Sequence, residues 1–307
     1  MPKTHISRTI TINKPVNEIY NYLNDFNNWQ AWSPWIIQEP ETKVTVSEDA
    51  KYYEWEGNRT GVGNMTITSA KENESIDVDL LFLKPWKSKA KVRFEFKSAG
   101  EGTEVTWLMD SSLPLLMFWM KKMMEAFVGM DYERGLLMLK DYMEDGKVHS
   151  KLDFKGASNF DGCNYIGIRT ACTKAQMPEK MKADFGKLHQ YFEENKDNIA
   201  GQPFTIYHKW DMVKDQIEYT SGFPVKEVPG TLSSGMMSGN IPKTPIHTVG
   251  HTGPYQHLGN AWTTMYGMQR SKTFKQNKKI DPFEIYLNNP MEVDEKELMT
   301  EVNFATK

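Results

Sequence analysis

Pro203-Phe-Thr-Ile-Tyr207 and Pro282-Phe-Glu-Ile-Tyr286 match at four of five positions, and this pair decides how the second half of the chain is read. Each pentapeptide alternates like a strand and follows a stretch of helical periodicity. Pro178 to Asn195 gathers Met181, Phe185, Leu188 and Phe192 on one side, and Pro254 to Gln269 does the same with Leu258, Trp262 and Met265. A strand pattern precedes each helix, at Tyr165–Thr170 and Ile246–His251. Another follows each pentapeptide, at Gln216–Ser221 and Met299–Ala305. The unit is strand, helix, strand, strand, used twice. The Gly-, Pro- and Ser-containing segment Gly222 to Pro245 joins the copies. Two such copies predict an antiparallel sheet with both helices on one face and a groove on the other. Strand alternation assigns Phe204, Ile206, Phe283 and Ile285 to the helix side, and Thr205, Tyr207, Glu284 and Tyr286 to the groove. The copies differ at one groove position, Thr205 against Glu284, so a lone carboxylate is expected in a cleft flanked by tyrosines.

Upstream, residues 149–159 have no sustained period and many turn formers, and are read as a linker between domains at 1–148 and 160–307. Ile6, Ile10 and Ile12 begin an alternating strand that stops at Asn13-Lys-Pro15. Pro15 suits the first turn of a short helix carrying Val16, Ile19, Tyr20 and Leu23. After Trp29-Gln-Ala-Trp-Ser-Pro-Trp35 come six strand patterns, at 42–47, 51–56, 63–70, 75–83, 88–98 and 103–110. In the fifth, Lys87, Lys89, Lys91 and Arg93 alternate with Ser88, Ala90, Val92 and Phe94, which describes one wet face and one buried face. Pro114 then opens a long helix to about Asp145 that holds seven methionines, with a bend expected at Gly129. A methionine stripe at helical spacing reads first as core, with a cavity lining as the alternative. The fold class is α+β in two domains.

With 307 residues, 39% hydrophobic and 25% charged, the chain suits two globular cores and lies outside the disordered range. The longest apolar run, Leu113 to Met120, is too short to span a bilayer. Met-Pro-Lys-Thr-His lacks the basic and apolar regions of a signal peptide, so a cytoplasmic location is expected. A net charge of −3 gives no global pull toward nucleic acid, and no direct nucleic-acid binding is expected. Cys163 and Cys172 flank a strand pattern, which would hold them too far apart for a disulfide. His247 and His251 share a strand face with His257 nearby, a weak metal pattern, and neither metal nor cofactor is expected.

Strand, two short helices, six strands and a long helix resemble the SRPBCC (START-like, polyketide-cyclase-like) family over residues 1–148. The resemblance rests on Ile12-Asn-Lys-Pro-Val-Asn-Glu-Ile-Tyr20, Trp29 to Trp35 and Gly61-Val-Gly-Asn-Met65. It implies a helix-grip sheet curled around an apolar cavity, and a container with no shared catalytic set. The second half resembles the GyrI-like small-molecule-binding domain, also the effector-binding domain of bacterial multidrug-responsive activators. Here the residues are His251-Thr-Gly-Pro-Tyr-Gln-His-Leu-Gly259, Phe283-Glu-Ile-Tyr-Leu-Asn-Asn-Pro290 and Met299-Thr-Glu-Val-Asn-Phe304. That resemblance implies an acid at Glu284 under an aromatic pocket that meets lipophilic cations. It also implies, for some members, hydrolysis of cyclopropane-type compounds by that Glu and a pocket Tyr, for which Tyr255 is the candidate. The ligand-binding set is Glu284, Tyr286, Tyr207, Thr205, Tyr255 and Trp262, with Trp32 and Trp35 in the first domain. Three roles follow: a sensor or sequestering protein, a small-molecule hydrolase, and a regulator of a protein partner, as gyrase-inhibitor relatives are.

Overall fold

The computed structural model describes residues 3–307, apart from the side chains of residues 115 and 116, and divides the chain after Ser150 into two units. In the first unit, β1 (Lys3–Ile12) leads to α1 (Val16–Leu23) and two short 3-10 turns. Then follow β2 (Lys43–Val46), β3 (Tyr52–Gly57), β4 (Gly61–Lys71), β5 (Ser75–Lys84), β6 (Ser88–Ala99), β7 (Gly102–Ser112) and α2 (Lys121–Asp145). The strands form one antiparallel sheet in the order β1-β7-β6-β5-β4-β3-β2. Its inner residues alternate as expected: in β6, Ala90, Val92, Phe94 and Phe96 are buried while Lys89, Lys91 and Lys97 are exposed.

The space between the sheet and α2 is filled by aromatic rings. Trp107 stacks between Phe94 and Tyr132, with centroids 5.1 and 3.9 Å away, and Trp29 and Trp32 pack edge-on to it. Gly135 permits this approach, since a Cβ there would lie 2.8 Å from the Trp107 ring and 3.2 Å from Pro34. The helix stops at Gly146, whose φ of +74° suits a residue without a side chain and whose N–H bonds the Tyr142 carbonyl at 2.9 Å. Two expectations change. The irregularity falls at Met117, inside a 3-10 turn over Leu115–Met120, and α2 runs unbroken through Gly129, which lies against the Arg8 guanidinium. Of the seven methionines only Met138 is buried and Met143 is partly buried against the core, so the stripe is not a continuous core seam.

The second unit comprises β8 (Lys151–Phe160), β9 (Cys163–Cys172), α3 (Met177–Glu193), β10 (Phe204–Asp211), β11 (Gln216–Val225), β12 (Met237–Ile241), β13 (Thr244–Thr252), α4 (Gly259–Arg270), β14 (Phe283–Tyr286) and β15 (Met299–Ala305). The antiparallel order is β12-β9-β11-β10-β14-β15-β13-β8. The duplicated pentapeptides meet at its centre, with Thr205 opposite Glu284. Residues 149–159 are not a linker, because Lys151–Phe160 is an edge strand on β13. It escapes detection because most of its side chains are exposed on both faces, so no apolar period marks it. The joining segment likewise contains β12. Cys163 and Cys172 end β9 as free thiols.

The two sheet faces are the reverse of those expected. Phe185 of α3 packs on Phe223 and Tyr286, and Trp262 of α4 packs on Tyr207, so the helices cover Thr205, Tyr207, Glu284 and Tyr286. Phe204, Ile206 and Phe283 lie on the other face with Tyr165, Ile241 and Ile246. Two-residue links from β8 to β9 and from β12 to β13 bring Phe160 and Ile241 onto that face and bury it. Alternation sorts side chains into two sets, but where both faces are buried it does not say which set meets the helices.

Candidate small-molecule site

Glu284 is 1% exposed, on the face between α3 and α4. Its short strand β14 is flanked by β10 and β15, so the carboxylate rises from the middle of the sheet. Tyr207 Oη and Tyr286 Oη donate to Oε2 at 3.1 and 2.8 Å, and Trp262 Nε1 donates to Oε1. Tyr286 Oη also lies 2.9 Å from Thr205 Oγ1. A phenol has one proton, so when Tyr286 donates to the carboxylate, Thr205 donates to Tyr286. If Glu284 is protonated, Tyr286 can accept from it and donate to Thr205 instead. The Thr205–Tyr286–Glu284 chain therefore accommodates both states of the acid.

Burial dominates the electrostatics. It pushes the Glu284 carboxyl above the usual carboxylate range, against the three hydrogen bonds that favour its ionised form. Burial, and then the charge of Glu284, pushes the Tyr207 and Tyr286 phenols well up. The same two causes push Tyr255 up to about 12. No cation stands among the hydrogen-bond partners of the carboxylate.

The structure gathers Thr205, Tyr207, Tyr255, Trp262, Glu284 and Tyr286 around one centre. Tyr255 stands at the exposed rim, edge-on to Tyr286 at 5.7 Å. Met181 Sδ, 3.7 Å from Tyr286 Oη, and Phe185 complete the helix side. The sequence pattern puts both on the core side of the helix, and the exchange of faces brings them against Tyr286. Ser221 and Thr300, opposite Thr205 and Tyr286, carry buried hydroxyls without a hydrogen-bond partner among the described residues. A further buried acid has no sequence signature: Asp184 of α3 accepts from Thr170 Oγ1 at 2.7 Å and from Tyr219 Oη at 3.0 Å.

Trp32 does not join a site. It is 1% exposed in the aromatic core of the first unit, although its indole N–H has no acceptor among the described residues. Trp35 is half-buried over Trp107 and donates to Asp131 at 3.3 Å. His247 stacks on Phe274, and burial with the neighbouring His257 brings His251 down to about 4. Among the described residues no three metal-type donors come together.

The second unit is thus a sheet carrying duplicated strand–helix–strand–strand units with an acid beneath two helices. Residues 160–306 match the family described as GyrI-like small molecule binding domain, and residues 3–144 match polyketide cyclase / dehydrase and lipid transport. The chain carries these two domains in that order. Among solved structures it is similar to the EcmrR–DNA complex in EcmrR-RPo, at 18% identity over 62% of this chain and 69% of that one, with a TM-score of 0.42. It is also similar to the EcmrR C-terminal domain, at 18% identity over 52% and 98%, TM-score 0.40. The Aha1 dimer from Colwellia psychrerythraea gives 18% identity over 47% and 98%, TM-score 0.36. No curated protein matches the chain. No described helix is long and apolar enough to cross a membrane.

Proposed function

We propose that the second unit binds a lipophilic, cationic small molecule over Glu284, in a sensing or sequestering role. One observation carries this reading: a carboxylate held by three neutral donors in a shell of aromatic rings, with no cation beside it. A ligand cation supplies the missing charge, and the faces of Tyr207, Tyr286, Tyr255 and Trp262 supply cation–π attraction. A bound cation favours the ionised form of the acid, so affinity rises with pH through the raised carboxyl pKa. Isothermal titration with tetraphenylphosphonium tests this. Glu284→Gln is expected to lose on the order of 1–3 kcal/mol, the scale of a charged contact. Equal binding by both proteins, with the same pH profile, would refute the assignment.

A second reading, hydrolysis of a reactive small molecule, draws on the same acid. A carboxyl whose pKa is raised by burial can give a proton to a strained substrate, with Tyr255 at the rim orienting water or stabilising charge. Under it Glu284→Gln loses turnover far more than affinity, and a compound recovered unchanged after incubation opposes it. Direct DNA binding stays outside the proposal on charge grounds, and nanomolar, sequence-dependent binding at physiological salt would reverse that.

A further inference from the structure

Among the described residues of the first unit, five large apolar side chains are exposed: Trp86 at 69%, Phe118 at 64%, Trp119 at 67%, Phe127 at 41% and Met123 at 37%. They are not scattered. Trp86 occupies the tip between β5 and β6, Phe118, Trp119 and Met123 lie where β7 passes into α2, and Phe127 is one turn further along α2. Ala90 pairs with Ser111, and the Ser111 hydroxyl donates to the Lys89 carbonyl at 2.9 Å. These contacts put both segments at one end of the sheet. Single exposed apolar residues are ordinary, but a concentration of bare aromatics marks an interaction surface.

Charge identifies the partner. The stretches Lys84-Pro-Trp-Lys-Ser-Lys89 and Leu113-Pro-Leu-Leu-Met-Phe-Trp-Met-Lys-Lys-Met-Met124 hold five lysines and no acid, in a chain of net charge −3; the next residue, Glu125, pairs with Lys121 at 3.7 Å and leaves four lysines in excess. Lys84, Lys87, Lys89 and Lys122 are exposed, and none has an ion-pair partner among the described residues. Indole rings favour the boundary between apolar and aqueous phases, and lysine reaches from apolar surroundings to anionic headgroups. A nucleic-acid duplex would engage the lysines but leave Phe118 and the two tryptophans in water. We propose that this end of the first unit docks on an anionic lipid bilayer, with Trp86, Phe118 and Trp119 at headgroup depth and the lysines on the lipid phosphates. The surface is independent of the Glu284 site.

Co-sedimentation of the full chain with vesicles tests the surface. Equimolar phosphatidylglycerol and phosphatidylcholine should bind saturably, at least about tenfold better than phosphatidylcholine alone, and high salt should release the protein. Lys87→Glu with Lys122→Glu should weaken binding about tenfold or more. Trp86→Ser with Trp119→Ser should abolish it and leave the thermal melt unchanged, since both side chains are exposed. No binding to mixed vesicles, equal binding to both kinds, or an unaffected tryptophan double variant each overturns the proposal. So does a wild-type dimer in sedimentation equilibrium that the tryptophan variant splits without any vesicle binding, which would assign the patch to a second copy.

Discussion

Glu284 has no solvent to stabilise its charge, and the three donors around it replace only part of what water gives. Its pKa is raised in the folded protein, so its stability contribution is present at low pH and lost as pH rises through the folded value. Glu284→Gln has no charge to bury, and its amide can accept from Trp262 and donate to the two phenols. The melting temperatures of variant and wild type should coincide below the ordinary carboxyl value of 4.5 and diverge above it in favour of Gln. Scanning calorimetry from about pH 4 to pH 8 checks this, and a gap that favours wild type at high pH would contradict it. That this acid is distinctive was legible in the sequence, because one position separates two otherwise matched pentapeptides. Met181 and Phe185 were legible as helix-face residues only, since their role depends on which sheet face the helix covers. Asp184 and Tyr219 gave no sequence signal, because their pairing joins residues 35 apart.

At the scale of the element, the β3–β4 turn is held by a residue outside both strands. Glu39 is buried and accepts the backbone N–H groups of Asn58, Arg59 and Thr60 at 2.8, 2.9 and 2.8 Å. Burial alone would raise this carboxyl, but the donors of Thr60, Arg59 and Asn58 outweigh it and hold the pKa low. A lowered pKa gives stability that is present above the unfolded value and lost as pH falls through the folded one. Glu39→Gln keeps one acceptor oxygen for three donors and should cost about 1–3 kcal/mol at neutral pH. The deficit should shrink in acid. Urea unfolding at two pH values measures both, and an undiminished deficit at low pH would show that shape and not charge matters here.

For the whole molecule, the chain divides after Ser150 into two compact units, 1–150 and 151–307. Each fragment should melt cooperatively alone. A fragment of residues 161–307 lacks β8 and leaves the β13 edge bare, so it should melt lower or aggregate. Identical melts for 151–307 and 161–307 would return residues 151–160 to the role of linker. The two-layer pattern of each domain, the duplication and the singular acid were set by the sequence, because strand and helix periods are local consequences of burying one face. The exchange of sheet faces, the edge strand β8 and the closed aromatic core around Trp32 were decided by tertiary structure. Each depends on what covers a surface, and the coverings, Phe160 and Ile241 beneath Phe204 and Phe283, and Tyr132 over Trp107, come from residues 25 or more positions away in the chain.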